Sequence, residues 1–458
     1  MDYKINIAMV GAGYVGLITS ACFAELGYKV ICTDKEQDKI KALQRGDVPI
    51  HESELNALIH TNLKQQKLYF SDSLSEAVFK SNIIFIAIGT PLLKNGNIDV
   101  SQIENAIKHI APLLNEYKII VIKSTVPIGT GRKLSSLIRT INCNAKFSMV
   151  TNPEFLRAGS GIQDFMVPDR IIVGLEDNFA RSFMDFLYQP LTKQGIPIFY
   201  TNIENAELIK YVSNCFLATK IAFANEIADL CEKLGTNATD VLYGMGLDKR
   251  IGNAYFQPGP GFGGSCLTKD AQSLVNIAKD NGSPLQIMES VLSSNKKRKK
   301  TIINKIIAAC NYCLSDKNIA ILGLSFKANT DDIRESAALS ILLELQSLGA
   351  QLSVYDPIVK NKDIMNLFGI KWGKNIYDTV SNVNAIIIMT EWDEFRQLDM
   401  HKVKFNLRNT LMAPTLIDLR NLYNPAIISK FGILYVSIGR PVPNLVQKNL
   451  DFCETSYS

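Results

Sequence analysis

Histidine is scarce in this chain, and the four present, His51, His60, His109 and His401, fall outside every motif described below. Acid and base chemistry is therefore expected from Lys, Asp, Glu or Cys. The nine cysteines follow no framework spacing. An odd, scattered set suits a reducing compartment and excludes a disulfide scaffold. The one CxxC, Cys310 and Cys313, has no second pair and no nearby His, and the periodicity around it reads as helix positions rather than zinc ligands. No metal is expected. No apolar stretch approaches the roughly 20 residues that span a bilayer, and the N-terminus enters a strand without a signal-peptide pattern, so a cytoplasmic protein with no membrane partner is expected. An excess of one charge is also missing: 49 basic residues stand against 44 acidic ones, for a net +5 spread along the chain, which does not argue for nucleic acid. The run Lys296-Lys297-Arg298-Lys299-Lys300 reads as one solvated helix face.

At 458 residues and 47% hydrophobic content, the chain can bury a substantial core, and length alone suggests about three domains. Ile5 to Val10 reads as a short apolar strand. Gly11-Ala12-Gly13-Tyr14-Val15-Gly16 follows at once and opens a helical stretch to Leu26. This is the dinucleotide-binding fingerprint in its strand-turn-helix context. The first glycine allows the tight turn, the second lets backbone approach a pyrophosphate, and the third permits close helix packing, with the phosphates at the helix N-terminus. After the next strand, Lys29 to Thr33, comes Asp34, where a carboxylate accepts both ribose hydroxyls and repels a 2′-phosphate. NAD is expected over NADP.

Further strands end in polar tips. Ile83 to Ile88 leads into Gly89-Thr90-Pro91, Ile119 to Ile122 into Ser124-Thr125, and Phe147 to Val150 into Asn152-Pro153-Glu154. In an open parallel sheet the carboxyl ends share one crevice, so the tips are expected to line a cofactor and substrate cleft, although each alone also reads as a turn. From Asn205 to Leu234 there is no proline or glycine, and the apolar spacing predicts a helix of about 45 Å joining two domains. On it Lys210 and Asn214 share a face beside Ala206 and Ala218; such pairs are usually solvated, and beside a cleft they would form an oxyanion clamp. Asn318 to Leu322 then mirrors the first strand, with Gly323-Leu324-Ser325-Phe326-Lys327 in place of the fingerprint, so the second half reads as a degenerate α/β copy with a nucleotide-like site. Its strands at Gln351 to Tyr355, Ala385 to Met389 and Leu416 to Ile417 end in tips such as Asp356-Pro357 and Thr390-Glu391-Trp392. Thr330 to Ser336 is a dense polar run with Ser336 placed to open the next helix, and the chain after Pro443 reads as a frayed tail.

The most informative segment is Gly261-Phe262-Gly263-Gly264-Ser265-Cys266, followed by Leu267-Thr268-Lys269-Asp270. Leu267, Ala271, Leu274, Val275 and Ala278 have helical spacing, so Cys266 sits at a helix start, where free N–H groups and the dipole favour a thiolate. A free cysteine packed in a glycine-rich turn is the alternative. Lys269 and Asp270 one turn on make convergence of thiol, cation and carboxylate possible. A thiol nucleophile beside a nicotinamide is needed when oxidation passes beyond an aldehyde, so four electrons are expected.

With these motifs assembled, GAGYVG, GTP at Gly89, STVPIGT at Ser124, NPEFLR at Asn152, PGPGFGGSC at Pro258 and FKANTDDIRES at Phe326, the chain resembles the UDP-glucose 6-dehydrogenase family from about residue 3 to about residue 440. The resemblance implies two Rossmann-like doubly wound parallel-sheet domains joined by a long central helix and a helical dimerisation region. Residues 1–203 would bind NAD, 204–314 carry the cysteine loop, 315–445 bind the UDP-sugar, and 446–458 form the tail. It implies oxidation of UDP-glucose to UDP-glucuronate with two NAD+. Cys266 would be the nucleophile, Lys210 and Asn214 would steady the oxyanion, Asp270 with Thr125 would position water, and Glu154 would serve thioester hydrolysis. It places Lys39, Thr90, Lys269 and Arg334 on NAD beside the fingerprint, and Glu154, Phe155, Leu156, Tyr255, Phe256, Gln257, Pro258, Gly259, Gly263 and Lys327 around the nucleotide sugar. Arg250 would reach the sugar nucleotide of a neighbouring subunit, in a homodimer formed through the central helix. Ala158 stands where the family usually has Glu. A sister enzyme acting on GDP-mannose or a UDP-N-acetylhexosamine shares the cysteine chemistry, and a silent nucleotide-sugar sensor shares the fold; intact Cys266, Lys210, Glu154 and Asp270 argue against the sensor.

Overall fold

Short β-branched runs bounded by turn residues become strands in the computed structural model, which describes residues 5–359, 369–407 and 414–441. The chain condenses into two units, Met1–Ser213 with Gln272–Gly282, and Asn214–Ala271 with Ser283–Ser458. The first holds β1 (Asn6–Val10), β2 (Lys29–Thr33), β3 (Leu68–Ser71), β4 (Ile83–Ile86), β5 (Lys118–Ile122), β6 (Phe147–Thr151), β7 (Ile171–Gly174) and β8 (Ile198–Thr201). These pair in the order β3-β2-β1-β4-β5-β6-β7-β8. All junctions are parallel except β6 with β7, which meet antiparallel at Thr151 and Gly174. Every residue of β4 and β5 is buried, as central strands covered on both faces must be. Phe23 of the helix Tyr14–Glu25 anchors one layer, with its ring 5.2 Å from Phe85, 5.0 Å from Phe165 and 5.8 Å from Tyr188.

The second unit holds β9 (Asn318–Leu322), β10 (Gln351–Tyr355), β11 (Lys371–Trp372), β12 (Ala385–Ile388), β13 (Thr415–Asp418) and β14 (Leu434–Ser437), all parallel, in the order β11-β10-β9-β12-β13-β14. Ranked within its own sheet, this repeats the order of the first six strands of the other unit. It is the doubly wound order, whose switch point falls beside the first strand. The repetition extends to the turn after that strand. Gly11 has φ 109° and a Cβ there would lie 2.5 Å from the Ala87 carbonyl oxygen; Gly323 has φ 95° and would meet the Thr390 side chain at the same distance, 2.5 Å. Both turns need a residue without a Cβ.

The helix Ile203–Leu234 has 32 residues, about 48 Å at the standard rise. It begins two residues before the expected start, within the usual uncertainty of helix ends. Ser336 accepts from the Ala338 N–H and opens the helix Ala337–Ser347 as expected. Two expectations are corrected. The basic run is not wholly a solvated face, because Arg298 is buried: its Nε donates to the Gly259 carbonyl at 3.0 Å and it pairs with Asp229. The CxxC does not lie on a helix either, since the helix Gln286–Ala309 stops at Cys310, and Asn311 and Tyr312 turn with φ 61° and 59°. The eight cysteines among the described residues are free, and no cluster of metal-ligating side chains occurs there. The tail expected after Pro443 lies outside the described residues. No helix among the described residues is long and apolar enough to cross a membrane.

Glu207, near the start of the long helix, is buried and accepts the N–H groups of Gly129 at 2.6 Å and Gly131 at 2.8 Å. It satisfies the helix Thr130–Ile141 at its N-terminal end. Burial pushes its carboxyl up from 4.5 to about 7, with those two N–H groups opposing. A raised carboxyl stabilises the fold most below its unfolded value, and that share is lost as pH rises through the folded value. Thermal melts should therefore show a component of about 2–3 kcal/mol disappearing between roughly pH 4.5 and 7. Glu207→Gln should abolish that component, and an unchanged pH dependence in the variant would count against it.

Candidate active site

At the carboxyl end of β1 the fingerprint turn faces the end of β2. Asp34 Oδ2 accepts the Ala12 N–H at 2.7 Å and Oδ1 accepts the Glu36 N–H at 3.0 Å. The Lys39 ammonium lies 3.6 Å from the same carboxylate. Gly13 precedes the helix Tyr14–Glu25, and a Cβ there would meet nothing within 4 Å, whereas at Gly16 it would lie 1.8 Å from the Gly11 carbonyl oxygen. Backbone is thus open where a pyrophosphate would approach and closed where helix must pack on strand. At the neighbouring tips, Thr90 donates its hydroxyl to the Thr125 carbonyl at 2.8 Å, so the ends of β4 and β5 are tied together.

The end of β6 carries the second cluster. Glu154 and Lys210, both buried, pair at 3.2 Å. Glu154 also accepts the Leu156 N–H at 2.5 Å, and Phe155 stacks under Arg170 at 3.8 Å, with the Lys210 ammonium 5.1 Å from its ring. The surface reading of Lys210 and Asn214 fails, since both are buried.

In the second unit, Asn214 donates its amide to Asp270 Oδ2 at 2.6 Å, and Lys269 pairs with Asp270 Oδ1 at 2.8 Å. Lys210 and Asn214 thus have different partners, one the carboxylate of Glu154 and the other that of Asp270. Cys266 is exposed and immediately precedes the helix Leu267–Asp280; its carbonyl accepts the Asp270 N–H at 2.9 Å. The expected helix-start thiol is therefore present. Arg334 feels the charge of Cys266, although the largest influence raising its own pKa is its hydrogen bond to Asp332. Cys215, one residue from Asn214, contrasts with Cys266: burial pushes its thiol up to about 12, and the Asp270 charge adds to this. Only a thiol spared such burial can act as a nucleophile near neutral pH.

The glycine-rich loop before Cys266 is held from three sides. Asn225 accepts the Gly259 N–H at 2.8 Å, Asn295 accepts from Phe262 N–H at 2.9 Å and donates to its carbonyl at 3.1 Å, and Arg298 takes the Gly259 carbonyl. Gly263 packs so closely that a Cβ would lie 2.5 Å from the Glu335 carbonyl oxygen. Tyr255 has φ 67°, and Phe256 lies under the Lys220 ammonium at 4.3 Å. Gln257 is exposed and Pro258 buried. Lys327 lies 5.9 Å from the Phe326 ring at the end of β9. Arg250 is exposed and donates to the Asp248 carboxylate at 2.6 Å.

Four residues escaped the sequence reading. Arg420, at the tip of β13, donates to the carbonyls of Met389 at 2.7 Å and Phe326 at 3.1 Å, and stands 3.1 Å from where a Cβ of Gly259 would be. Carrying the strand-tip argument on to β13 would have found it. Lys123 directly follows the apolar run Ile119–Ile122 of β5, a visible anomaly, and donates to Asn152 at 3.0 Å. Arg298 was masked by its basic neighbours. Glu52 has no local signal at all. It accepts from the Tyr14 hydroxyl, the Gly159 N–H and the Gly161 N–H, each at 2.6 Å. It thereby clamps the loop around Ala158 to the fingerprint helix, and burial with this bond pushes the Tyr14 phenol up.

Comparison with known proteins agrees with this geometry. Residues 5–192 match the NAD binding domain of the UDP-glucose/GDP-mannose dehydrogenase family, 204–297 its central domain, and 320–425 its UDP binding domain. The chain belongs to this family. It is 43% identical to the UDP-glucose 6-dehydrogenase of Rhizobium meliloti over 95% of this chain and 100% of that protein. It is 40% identical to UDP-glucose 6-dehydrogenase TuaD of Bacillus subtilis, over 95% and 93%. Among solved structures, a UDP-glucose dehydrogenase from Pyrobaculum islandicum superposes with TM-score 0.87 at 31% identity, covering 96% of this chain and 98% of that one. A UDP-D-ManNAc dehydrogenase from Pyrococcus horikoshii gives TM-score 0.83 at 28% identity, over 95% and 99%.

NAD is the cofactor of the family's first domain, and the residues present fit it. The open Gly13 backbone at a helix N-terminus suits the pyrophosphate. Asp34 has two of its roughly four lone-pair directions taken by N–H groups, which leaves acceptors for a ribose diol. Glu52→Ala would strand three donors at this edge, an expected loss of about 2–4 kcal/mol. The variant should melt several degrees lower and bind NAD more weakly by calorimetry, whereas unchanged NAD affinity would mean that the clamp does not shape the cofactor edge.

Proposed function

We propose that this chain oxidises the C6 alcohol of UDP-glucose to the carboxylate of UDP-glucuronate, consuming two NAD+ and one water. The observation that carries the reading is Cys266, exposed at a helix start, in a chain that also holds the buried pairs Glu154–Lys210 and Asn214–Asp270. An alcohol dehydrogenase that stops at the aldehyde needs no such thiol. Bound at the fingerprint, NAD supplies the hydride acceptor for each of the two oxidations.

Once the first hydride and the hydroxyl proton have left C6, the Cys266 sulfur adds to the aldehyde carbon and forms a thiohemiacetal. Lys210 and Asn214 donate hydrogen bonds to its oxygen, which carries negative charge as the second hydride departs. The product is a thioester on Cys266. Asp270 with Thr125 positions water, Glu154 takes its proton, and hydrolysis breaks the C–S bond, returning the thiol and releasing the carboxylate. Residues 1–203 hold NAD in this reading, with Thr90 and Thr125 at strand tips and Lys39 on the helix Gln37–Gln44, and Lys269 and Arg334 add contacts to the cofactor. The UDP-sugar lies with 315–445, where Lys327 stands, and with the residues Tyr255 to Gly259 and Gly263. The polar tail begins at about residue 446.

We also propose a homodimer through the long helix. Phe216, Phe223, Leu230 and Leu234 on that helix are exposed, as are Tyr243 and Leu247 just after it; an apolar stripe of this kind calls for a covering partner. Exposed Arg250 would then serve the partner's sugar nucleotide. A cytoplasmic location fits the free cysteines.

Limiting UDP-glucose with excess NAD+ should yield two NADH per sugar by absorbance. A yield of one would mean that the reaction stops at the aldehyde and that Cys266 does not relay; none would turn the search to GDP-mannose, UDP-N-acetylhexosamines and the sensor reading. Cys266→Ser should lower kcat about 10³-fold or more while retaining UDP-glucose binding.

A further inference from the structure

Lys123 is a buried ammonium that the mechanism above leaves unused. It lies one residue before Ser124-Thr125, and its Nζ donates to Asn152 Oδ1 at 3.0 Å. The same oxygen accepts the buried Tyr188 hydroxyl at 2.5 Å, while the Asn152 amide donates to the Ile172 carbonyl at 2.7 Å and its backbone N–H to Ile122 at 2.9 Å. Asn152 is thus held on every side, and Glu154 follows it by two residues. A buried cation bonded only to neutral oxygens needs an anion nearby. The charged groups acting on Lys123 are Glu154, which favours its ammonium, and Lys210, which opposes it.

We propose that Lys123 is a positioning residue for the reaction: it locks the Asn152 turn that aims Glu154 and adds a second positive charge to that of Lys210 acting on this carboxylate. The inference rests on the role assigned to Glu154 above. Glu154 pairs with Lys210 at 3.2 Å and its charge also acts on Lys123, so each proton it takes from water leaves the two ammonium groups without the charge that balances them. Their repulsion favours handing the proton on to solvent water, which resets the carboxylate for the next turnover. The reset weakens when Lys123 loses its own proton. Burial pushes that group down to about 8, with Glu154 opposing the fall and Lys210 adding to it.

Two measurements test this, and the first does not depend on turnover. With lysine-selective NMR labelling, and the Lys123 signal assigned through Lys123→Arg, Glu154→Gln should move the Lys123 titration midpoint down by about one unit or more. An unmoved midpoint would overturn the coupling even if the protein proved inactive on UDP-glucose, so failure of this inference and failure of the function above are separable. In the kinetics, kcat of the unmodified enzyme should fall as pH rises through the Lys123 midpoint. Lys123→Met should lower kcat about tenfold or more with KM for UDP-glucose little changed and that alkaline limb gone. Lys123→Arg, which keeps its charge, should restore part of kcat and extend the active range upward. Equal losses in both variants with the limb intact would reduce Lys123 to a packing element and overturn the proposal.

Discussion

Parallel sheets end in a row of turns whose backbone N–H groups have no strand to pair with, and the architecture of this protein depends on carboxylates that accept them. Asp34 takes those of Ala12 and Glu36, Glu52 those of Gly159 and Gly161, and Glu207 those of Gly129 and Gly131. In the second unit Asp418 takes those of Arg420, Leu422 and Tyr423. Each bond converts an unsatisfied donor at the functional edge into a fixed one, and a carboxyl receiving two N–H groups ties two points of a turn at once. The strand tips are therefore rigid where catalysis needs its groups preplaced.

The same device separates the two sheets in function. Asp34 follows β2 and Asp356 follows β10, which are corresponding strands, and each carboxylate reaches back to the glycine turn of its own sheet. Asp34 is half-buried and accepts only two N–H groups, which leaves it acceptor capacity. Asp356 is buried, and its two oxygens receive Leu324, Ser325, Ile358 and Val359 N–H groups, the Ser325 hydroxyl and the Trp392 indole. Nothing remains on it for a ribose diol. The loss of the later glycines was readable as the end of a dinucleotide site in the second half; the occupied carboxylate is its physical counterpart.

What could be read from the chain was what short-range geometry dictates. The fingerprint turn, the long helix, the mirrored first strand of the second half and the helix start at Cys266 all follow from glycine conformations and apolar spacing within about 30 residues. Glu52, Lys123 and Arg298 were not readable because their roles are defined by partners far along the chain. Arg298 shows the mechanism of failure most clearly: its neighbours Lys297 and Lys300 are exposed and Lys299 is half-buried, and only the helix rotation places the one guanidinium inward. For Lys210 and Asn214 the solvated face was only the alternative reading, and tertiary packing overturned it by burying both. The CxxC shows that periodicity can run past the point where a helix stops.

The carboxylate clamps also have a kinetic meaning. Glu52 joins Gly159 across 107 residues of chain, and Glu207 joins Gly131 across 76. Contacts of such separation form after the strands that carry them have docked, because the loop must first be closed. Interactions made late in folding retard unfolding more than they speed folding. The loops these clamps hold are thus secured after the strands around them, and the time the folded chain survives, as distinct from its equilibrium stability, rests on a few acidic side chains.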